Sequence, residues 1–193
     1  MNNTAIIICG GGSYGALVLD ALRSKTAEQS YFVWDERENR EFHPAFVDVV
    51  KLNLSGGVMP SILDQFSSIE FYVAEGKGSS RYEFATAVRR GFGQDARTSF
   101  PTFVHHTAVV SPGAAIQPGC FIGPHSVVHT HASVGEFVFM TNNVIIEQDC
   151  TICDFVTMHS SSVLLEGAKI SAFTIIGANA LVKEQCSIAA PHT

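Results

Sequence analysis

Residues 108 to 191 repeat in steps of six without a slip, and that register constrains the fold more than any other feature of the chain. Written in sixes they read AVVSPG, AAIQPG, CFIGPH, SVVHTH, ASVGEF, VFMTNN, VIIEQD, CTICDF, VTMHSS, SVLLEG, AKISAF, TIIGAN, ALVKEQ and CSIAAP. The third column, from Val110 and Ile116 through Met140 and Ile146 to Val182 and Ile188, admits no polar residue. The first column stays small or slim, from Ala108 and Ala114 through Cys120 and Ser126 to Ala180 and Cys186. Residues two apart in an extended chain share a face, so both columns point the same way and a bend follows them. This periodicity predicts a parallel β-helix, a narrow prism in which each coil buries its core only by stacking on the next.

The first hundred residues follow a different rule. Ala5 to Cys9 is a short apolar run, read as a buried parallel strand. Gly10-Gly-Gly-Ser-Tyr-Gly15 matches GxGxxG, and Ala16 to Ser24 has a helical pattern. Tyr31 to Trp34 reads as a second strand ending at Asp35, and Ile69 to Ala74 as a third running into Glu75-Gly76. Helices are expected near Ser61 to Phe66 and Ser80 to Arg90. Strands alternating with helices predict a parallel α/β, Rossmann-like domain over residues 1–99, followed by the β-helix over 100–193. Thr98 to His106 leaves little room for a flexible linker between them.

The glycines at 10, 11 and 12 would let a phosphate approach backbone N–H groups at a helix N-terminus, with Asp35 accepting from a ribose or base. Only about three strands are read before the repeat, one mononucleotide unit rather than a dinucleotide pair, so a single nucleotide moiety is the expected ligand. A purely structural tight turn at Gly10–Gly15 is the alternative.

Composition closes off other classes. The formal net charge is −6 and Arg89-Arg90 is an isolated basic pair, so neither nucleic acid nor an anionic membrane is expected as a partner. No apolar run approaches the roughly 20 residues of a bilayer span, and Met1–Thr4 carries no basic n-region, so the expected compartment is the cytoplasm, without membrane insertion. Five cysteines in no framework spacing predict reduced thiols, and Cys150-Thr-Ile-Cys153 lies inside the repeat, where small residues are wanted.

Several segments together are similar to one family. They are Ile6-Ile-Ile-Cys-Gly-Gly-Gly-Ser-Tyr-Gly15, Val33-Trp-Asp-Glu36, Tyr72-Val-Ala-Glu-Gly76 with Arg81, Phe100-Pro-Thr-Phe-Val-His105 leading into Ala108–Pro112, Ile145–Cys150 and Asp154–Thr157. Over nearly the whole chain they resemble the sialic-acid O-acetyltransferase (NeuD/PglD-type) family of sugar O-/N-acyltransferases. The resemblance implies a left-handed β-helix, a homotrimer and acetyl-CoA held between neighbouring β-helices, with Thr157 and Ala178 at coenzyme positions. It implies a nucleotide-sugar, a UDP-amino sugar by preference, bound at Gly10, Gly11, Gly12, Asp35, Glu36 and Gly76. The implied reaction is acetyl transfer to a sugar amine or hydroxyl in surface-glycan synthesis, with no metal.

The match departs from the family where the chemistry is expected. The family's proton-accepting histidine falls at Gln148, a neutral amide that cannot act as a base, while its acidic partner is retained as Asp149. A second frequent family histidine falls at Thr157, and Ala189–Thr193 lacks the family's Gly-x-Pro-Ala-basic ending. One coil takes eighteen residues, so His159 is expected on a different side of the prism from Gln148 and would reach its site only across a subunit interface. Glu147 is expected to stack on His129, as an exposed polar ladder; His125, His129 and His131 lack a cysteine or carboxylate completing a metal site. Three readings follow: an active acyltransferase, a binding or structural paralogue with impaired catalysis, and an NAD-dependent oxidoreductase carrying a solenoid, which the short N-terminal domain disfavours.

Overall fold

The computed structural model describes residues 3–25, 29–35, 41–54 and 60–190. It divides into two compact units, Met1–Glu75 with Ser80–Pro101, and Gly76–Ser79 with Thr102–Thr193.

In the first unit, β1 (Thr4–Cys9) is apolar along its length because a central parallel strand is covered on both faces. Ile6, Ile7 and Ile8 are accordingly all buried. It pairs in parallel with β2 (Ser30–Trp34) on one side and β4 (Ser68–Val73) on the other. Helix α1 (Ser13–Lys25) buries Val18, Leu19 and Leu22, which recur at helical spacing. Helix α2 (Gly78–Phe92) likewise buries Phe84, Ala85, Val88 and Phe92. Trp34 meets Phe84 edge-on at 5.2 Å and Phe71 stacks on Phe92 at 6.0 Å. Two strands go beyond the three expected from sequence: β3 (Val50–Lys51) and β5 (Thr98–Ser99) extend the sheet to the order β3-β2-β1-β4-β5. Each is a two-residue edge strand with no buried residue, so no periodic pattern announces it. The helix expected at Ser61 to Phe66 is a single 3-10 turn over Ser61–Leu63, too short to show a periodic face.

In the second unit, fifteen two-residue strands (β6 to β20) occupy the second and third columns of successive hexads. They form three parallel sheets. One contains β7 (Val109–Val110), β10 (Val127–Val128), β13 (Ile145–Ile146), β16 (Val163–Leu164) and β19 (Leu181–Val182). The next contains β8 (Ala115–Ile116), β11 (Ser133–Val134), β14 (Thr151–Ile152), β17 (Lys169–Ile170) and β20 (Ser187–Ile188). The third contains β6 (Phe103–Val104), β9 (Phe121–Ile122), β12 (Phe139–Met140), β15 (Thr157–Met158) and β18 (Ile175–Ile176). Each residue pairs with the one eighteen further on, as Val127 does with Val109 and Ile145. The solenoid begins at Thr102, one hexad before the start read from sequence. Its first hexad, Thr102 to Thr107, carries Thr102 in column one, whose hydroxyl donates to Gln117 O at 2.9 Å.

Columns one and three make the core, with Cys120, Val138, Val144, Cys150 and Val156 packed against Ile122, Met140, Ile146, Ile152 and Met158. Cys150 fills such a slot, its thiol donating to Leu165 O at 3.2 Å, and burial pushes that thiol's pKa up. Cys153, in the fourth column, is exposed. The bend is equally regular. Column one donates back to column four of the preceding hexad, as in Ala114 N to Ser111 O at 3.0 Å, which closes a turn. From Gly119 (76°) onward column six takes positive φ, as at His131 (59°), Phe137 (53°), Asp149 (59°) and Gln185 (55°). A turn with φ > 0 at its third position favours proline at its second, which explains Pro118 and Pro124 in column five. Holding an ordinary residue in that conformation costs about 1–2 kcal/mol. Ladder bonds such as Phe155 N to Glu136 O at 2.9 Å, and stacking of Phe137, Phe155 and Phe173 at 5.2 and 5.3 Å, offset it.

Among the described residues, no helix is long and apolar enough to cross a membrane, and no group of three or more His, Cys, Asp and Glu could hold a metal ion.

Candidate functional site

The glycine turn of the first unit joins the end of β1 to α1. Gly10 adopts φ +117°, and a Cβ there would come within 2.7 Å of both Ala74 O and the Glu75 carboxylate, so only glycine fits. A Cβ on Gly15 would strike Gly10 O, so this glycine lets α1 close onto the turn. Gly10 N donates to Trp34 O at 2.8 Å, and Gly11 N donates to Asp35 Oδ2 at 2.9 Å. Gly11 O accepts from His43 N at 2.8 Å, while the Phe42 ring lies against its Cα. Gly12 is half-buried at the entry to α1. Asp35 therefore holds the glycine turn with one carboxylate oxygen. Glu36 lies outside the described residues. Behind the turn, Arg81 is buried and donates to Glu75 O at 2.7 Å. Burial pushes the Tyr14 phenol above its ordinary pKa, with Arg81 opposing and Glu75 adding.

Gly76 belongs to the second compact unit, where its carbonyl accepts from Thr157 Oγ1 at 2.8 Å. Thr157, one of the two coenzyme positions, is fully buried. Ala178, the other, is exposed between Gly177 and the corner residue Asn179.

Gln148 and Asp149 close the coil that carries β13. Gln148 is half-buried, and its Nε2 donates to Glu166 Oε2, one coil further on, at 3.0 Å. Glu147 Oε2 accepts from Glu166 N at 3.1 Å, and Gln148 O accepts from Gly167 N at 3.1 Å. Three bonds thus stitch Glu147-Gln148 to Glu166-Gly167. The register stacks Glu147 on His129 as expected, Val128 pairing with Ile146 just before them, while Glu147 Oε2 reaches on to Glu166 N. On the same corner, two columns on, His131 Nδ1 lies 3.5 Å from Asp149 Oδ1. Their side chains are 72% and 56% exposed, so the pair adds little stability.

His159 follows β15, in the sheet containing β12 and β18, whereas Gln148 follows β13 in the sheet containing β10 and β16. The two therefore lie on different sides of the prism. Glu166 was missed from sequence, although the eighteen-residue stacking rule applied to Gln148 points directly to it.

An α/β sheet and a triangular solenoid in one chain define a class of fold. No family model matches the chain. The chain is similar to a mutant GDP-perosamine N-acetyl transferase from Caulobacter crescentus in complex with CoA and GDP-perosamine, at TM-score 0.71 and 18% identity, covering 95% of this chain and 90% of that one. It is similar to the acetyltransferase domain of PglB from Neisseria gonorrhoeae in complex with acetyl coenzyme A, at TM-score 0.68 and 19% identity, covering 97% and 93%. WeeI from Acinetobacter baumannii matches at TM-score 0.70 and 15% identity, over 95% and 93%. The three stacked parallel sheets fit a left-handed β-helix, as in these acetyltransferases. By sequence, the chain is 30% identical over 90 residues to UDP-3-O-acylglucosamine N-acyltransferase from Polynucleobacter asymbioticus. That match covers 45% of this chain and spans about a quarter (25%) of that relative's length.

Proposed function

We propose that this protein is an acetyl-CoA-dependent acyltransferase of the NeuD/PglD type, acting on an amino or hydroxyl group of a nucleotide-linked sugar in surface-glycan synthesis. The observation that carries the reading is an α/β unit and a hexad solenoid in one chain, an architecture shared over 95% of its length with a transferase bound to CoA and a nucleotide-sugar. In this reading residues 1–99 form a Rossmann-like nucleotide-sugar domain and 100–193 the acyltransferase domain. The strand order β3-β2-β1-β4-β5 supports the first part, because ligands of such sheets sit where the order reverses, beside the carboxyl ends of β1 and β4. Gly10, Gly11, Gly12, Asp35, Glu36 and Gly76 would contact the nucleotide-sugar. A UDP-amino sugar is favoured, and a GDP-linked one is the first alternative to try. A cytoplasmic homotrimer completes the proposal.

Bound acetyl-CoA supplies the acetyl group as a thioester. Ala178 fits a coenzyme contact, being small and exposed; Thr157 would first have to release Gly76 O. Gln148 cannot take the nucleophile's proton. An amine needs less assistance than a hydroxyl, so a positioned amine losing its proton to water or Asp149 meets the need, and His159 of a neighbouring copy is the other candidate. The hydrogen bond holding Gln148 to Glu166 also favours a second reading, a paralogue that binds but transfers slowly.

Incubation with acetyl-CoA and a panel of UDP-, dTDP- and GDP-amino sugars, following thiol release, tests the proposal. Release with at least one acceptor is expected. No release together with no retained CoA would sink it, while retained CoA without release leaves the binding paralogue. Gln148→His should raise turnover by about 10²–10⁴-fold if only the base is missing.

A further inference from the structure

Gln148 cannot accept a proton, yet it is placed to orient a group that can. Its carboxamide Nε2 donates to Glu166 Oε2 at 3.0 Å, a direction fixed by chemistry because a carboxylate only accepts. Glu166 is held at its other end as well, its backbone N–H donating to Glu147 Oε2 at 3.1 Å. The following residue, Gly167, donates its N–H to Gln148 O at 3.1 Å. The carboxylate is thus fixed through its backbone and one oxygen while Glu166 itself remains exposed. That is the preorganisation a proton acceptor needs.

Building on the acyltransferase reading, we infer that Glu166 is the proton acceptor of the reaction and that Gln148 is its positioning residue. The nucleophile's nitrogen or oxygen forms a bond to the acetyl carbonyl carbon, and its proton passes to the Glu166 carboxylate. The C–S bond then breaks, and the coenzyme A sulfur leaves with the proton returned from Glu166. Charge and atoms balance with no further reactant. Of the other titratable groups on this corner, Glu147 accepts from the Glu166 backbone N–H, and Asp149 Oδ1 lies 3.5 Å from His131 Nδ1. Glu184, one coil beyond Glu166, is exposed and serves as a control on the same ladder.

The test compares wild type with Glu166→Gln, Glu166→Ala, Gln148→Ala, His131→Asn and Glu184→Gln, using the acceptor found in the thiol-release panel. CoA affinity is measured in parallel by calorimetry. Glu166→Gln should lower kcat by roughly 10²-fold or more while leaving CoA affinity and the KM for acetyl-CoA within about twofold. Added formate should restore part of the activity of Glu166→Ala, a rescue that a purely structural role would not show. Gln148→Ala should lose about tenfold through kcat, and Glu184→Gln nothing. Glu166→Gln keeping kcat within about twofold of wild type overturns the inference, as does a loss carried by His131→Asn instead. Wild type that retains CoA yet transfers to no acceptor overturns the Glu166 assignment alone. Wild type that neither transfers nor retains CoA removes the acyltransferase reading itself.

Discussion

The two units bury their cores by different rules. In the first, the core forms only when distant segments meet: Ile7 pairs with Phe32 and Phe71, and Phe92 of α2 stacks on Phe71. In the second, every coil repeats one local rule, and Ile146 pairs with Val128 and Leu164, one coil to either side. A sheet assembled from distant segments opens as a unit, whereas a stacked solenoid opens coil by coil.

The sharpest way to break this contrast is a matched pair of truncations. Ile7→Ala and Ile146→Ala each remove a side chain with 0% exposure and should each cost about 2–5 kcal/mol in denaturant titrations. Amide exchange separates them. Ile7→Ala should raise exchange across β1, β2 and β4 together, and Ile146→Ala mainly in the coils around β10, β13 and β16. Equally wide exchange in both variants would refute the nearest-neighbour picture.

A smaller effect is expected at the corners. Asn143 has φ 55°, so Asn143→Val should cost about 1–2 kcal/mol, more than the loss of its Nδ2 bond to Ser161 Oγ, which Asn143→Gly isolates. Equal melting shifts for the two variants would show that backbone conformation is not what the corner demands.

Smaller still, Ser162 Oγ is buried among apolar side chains without a hydrogen-bond partner. Ser162→Ala should therefore stabilise the solenoid by about 1 kcal/mol, a rise of roughly 2–4 °C in melting temperature.

The smallest effect is a pH slope from the first coil. Burial holds the His105 imidazole below its ordinary pKa, with His106 and His125 adding, and its Nδ1 accepts from Thr107 N at 3.2 Å. The unfolded chain takes up the proton first. Stability is therefore full above the unfolded value of about 6.5 and falls as pH drops from there through the folded value. Thermal melts between about pH 7.5 and 5.5 should show this slope, and His105→Gln should flatten it.

Much of this was legible in the residues, unevenly. The strands at Ala5–Cys9 and Ile69–Ala74 were legible because a buried parallel strand is apolar throughout or alternates cleanly. The edge strands β3 and β5 were not, since two residues with neither side chain buried carry no periodic signature. At the site, GxGxxG marked the turn, but not that Asp35 would accept from Gly11 N.

The sequence by itself determined the inward register of columns one and three, because in an extended chain the side-chain period is local and needs no partner. The tertiary structure decided how the bends close, setting residues as large as Phe137 at positive φ because the ladder and ring stacking offset the strain. It likewise decided the partner of Gln148. Glu166 is eighteen residues away along the chain and becomes a neighbour only when one coil stacks on the next.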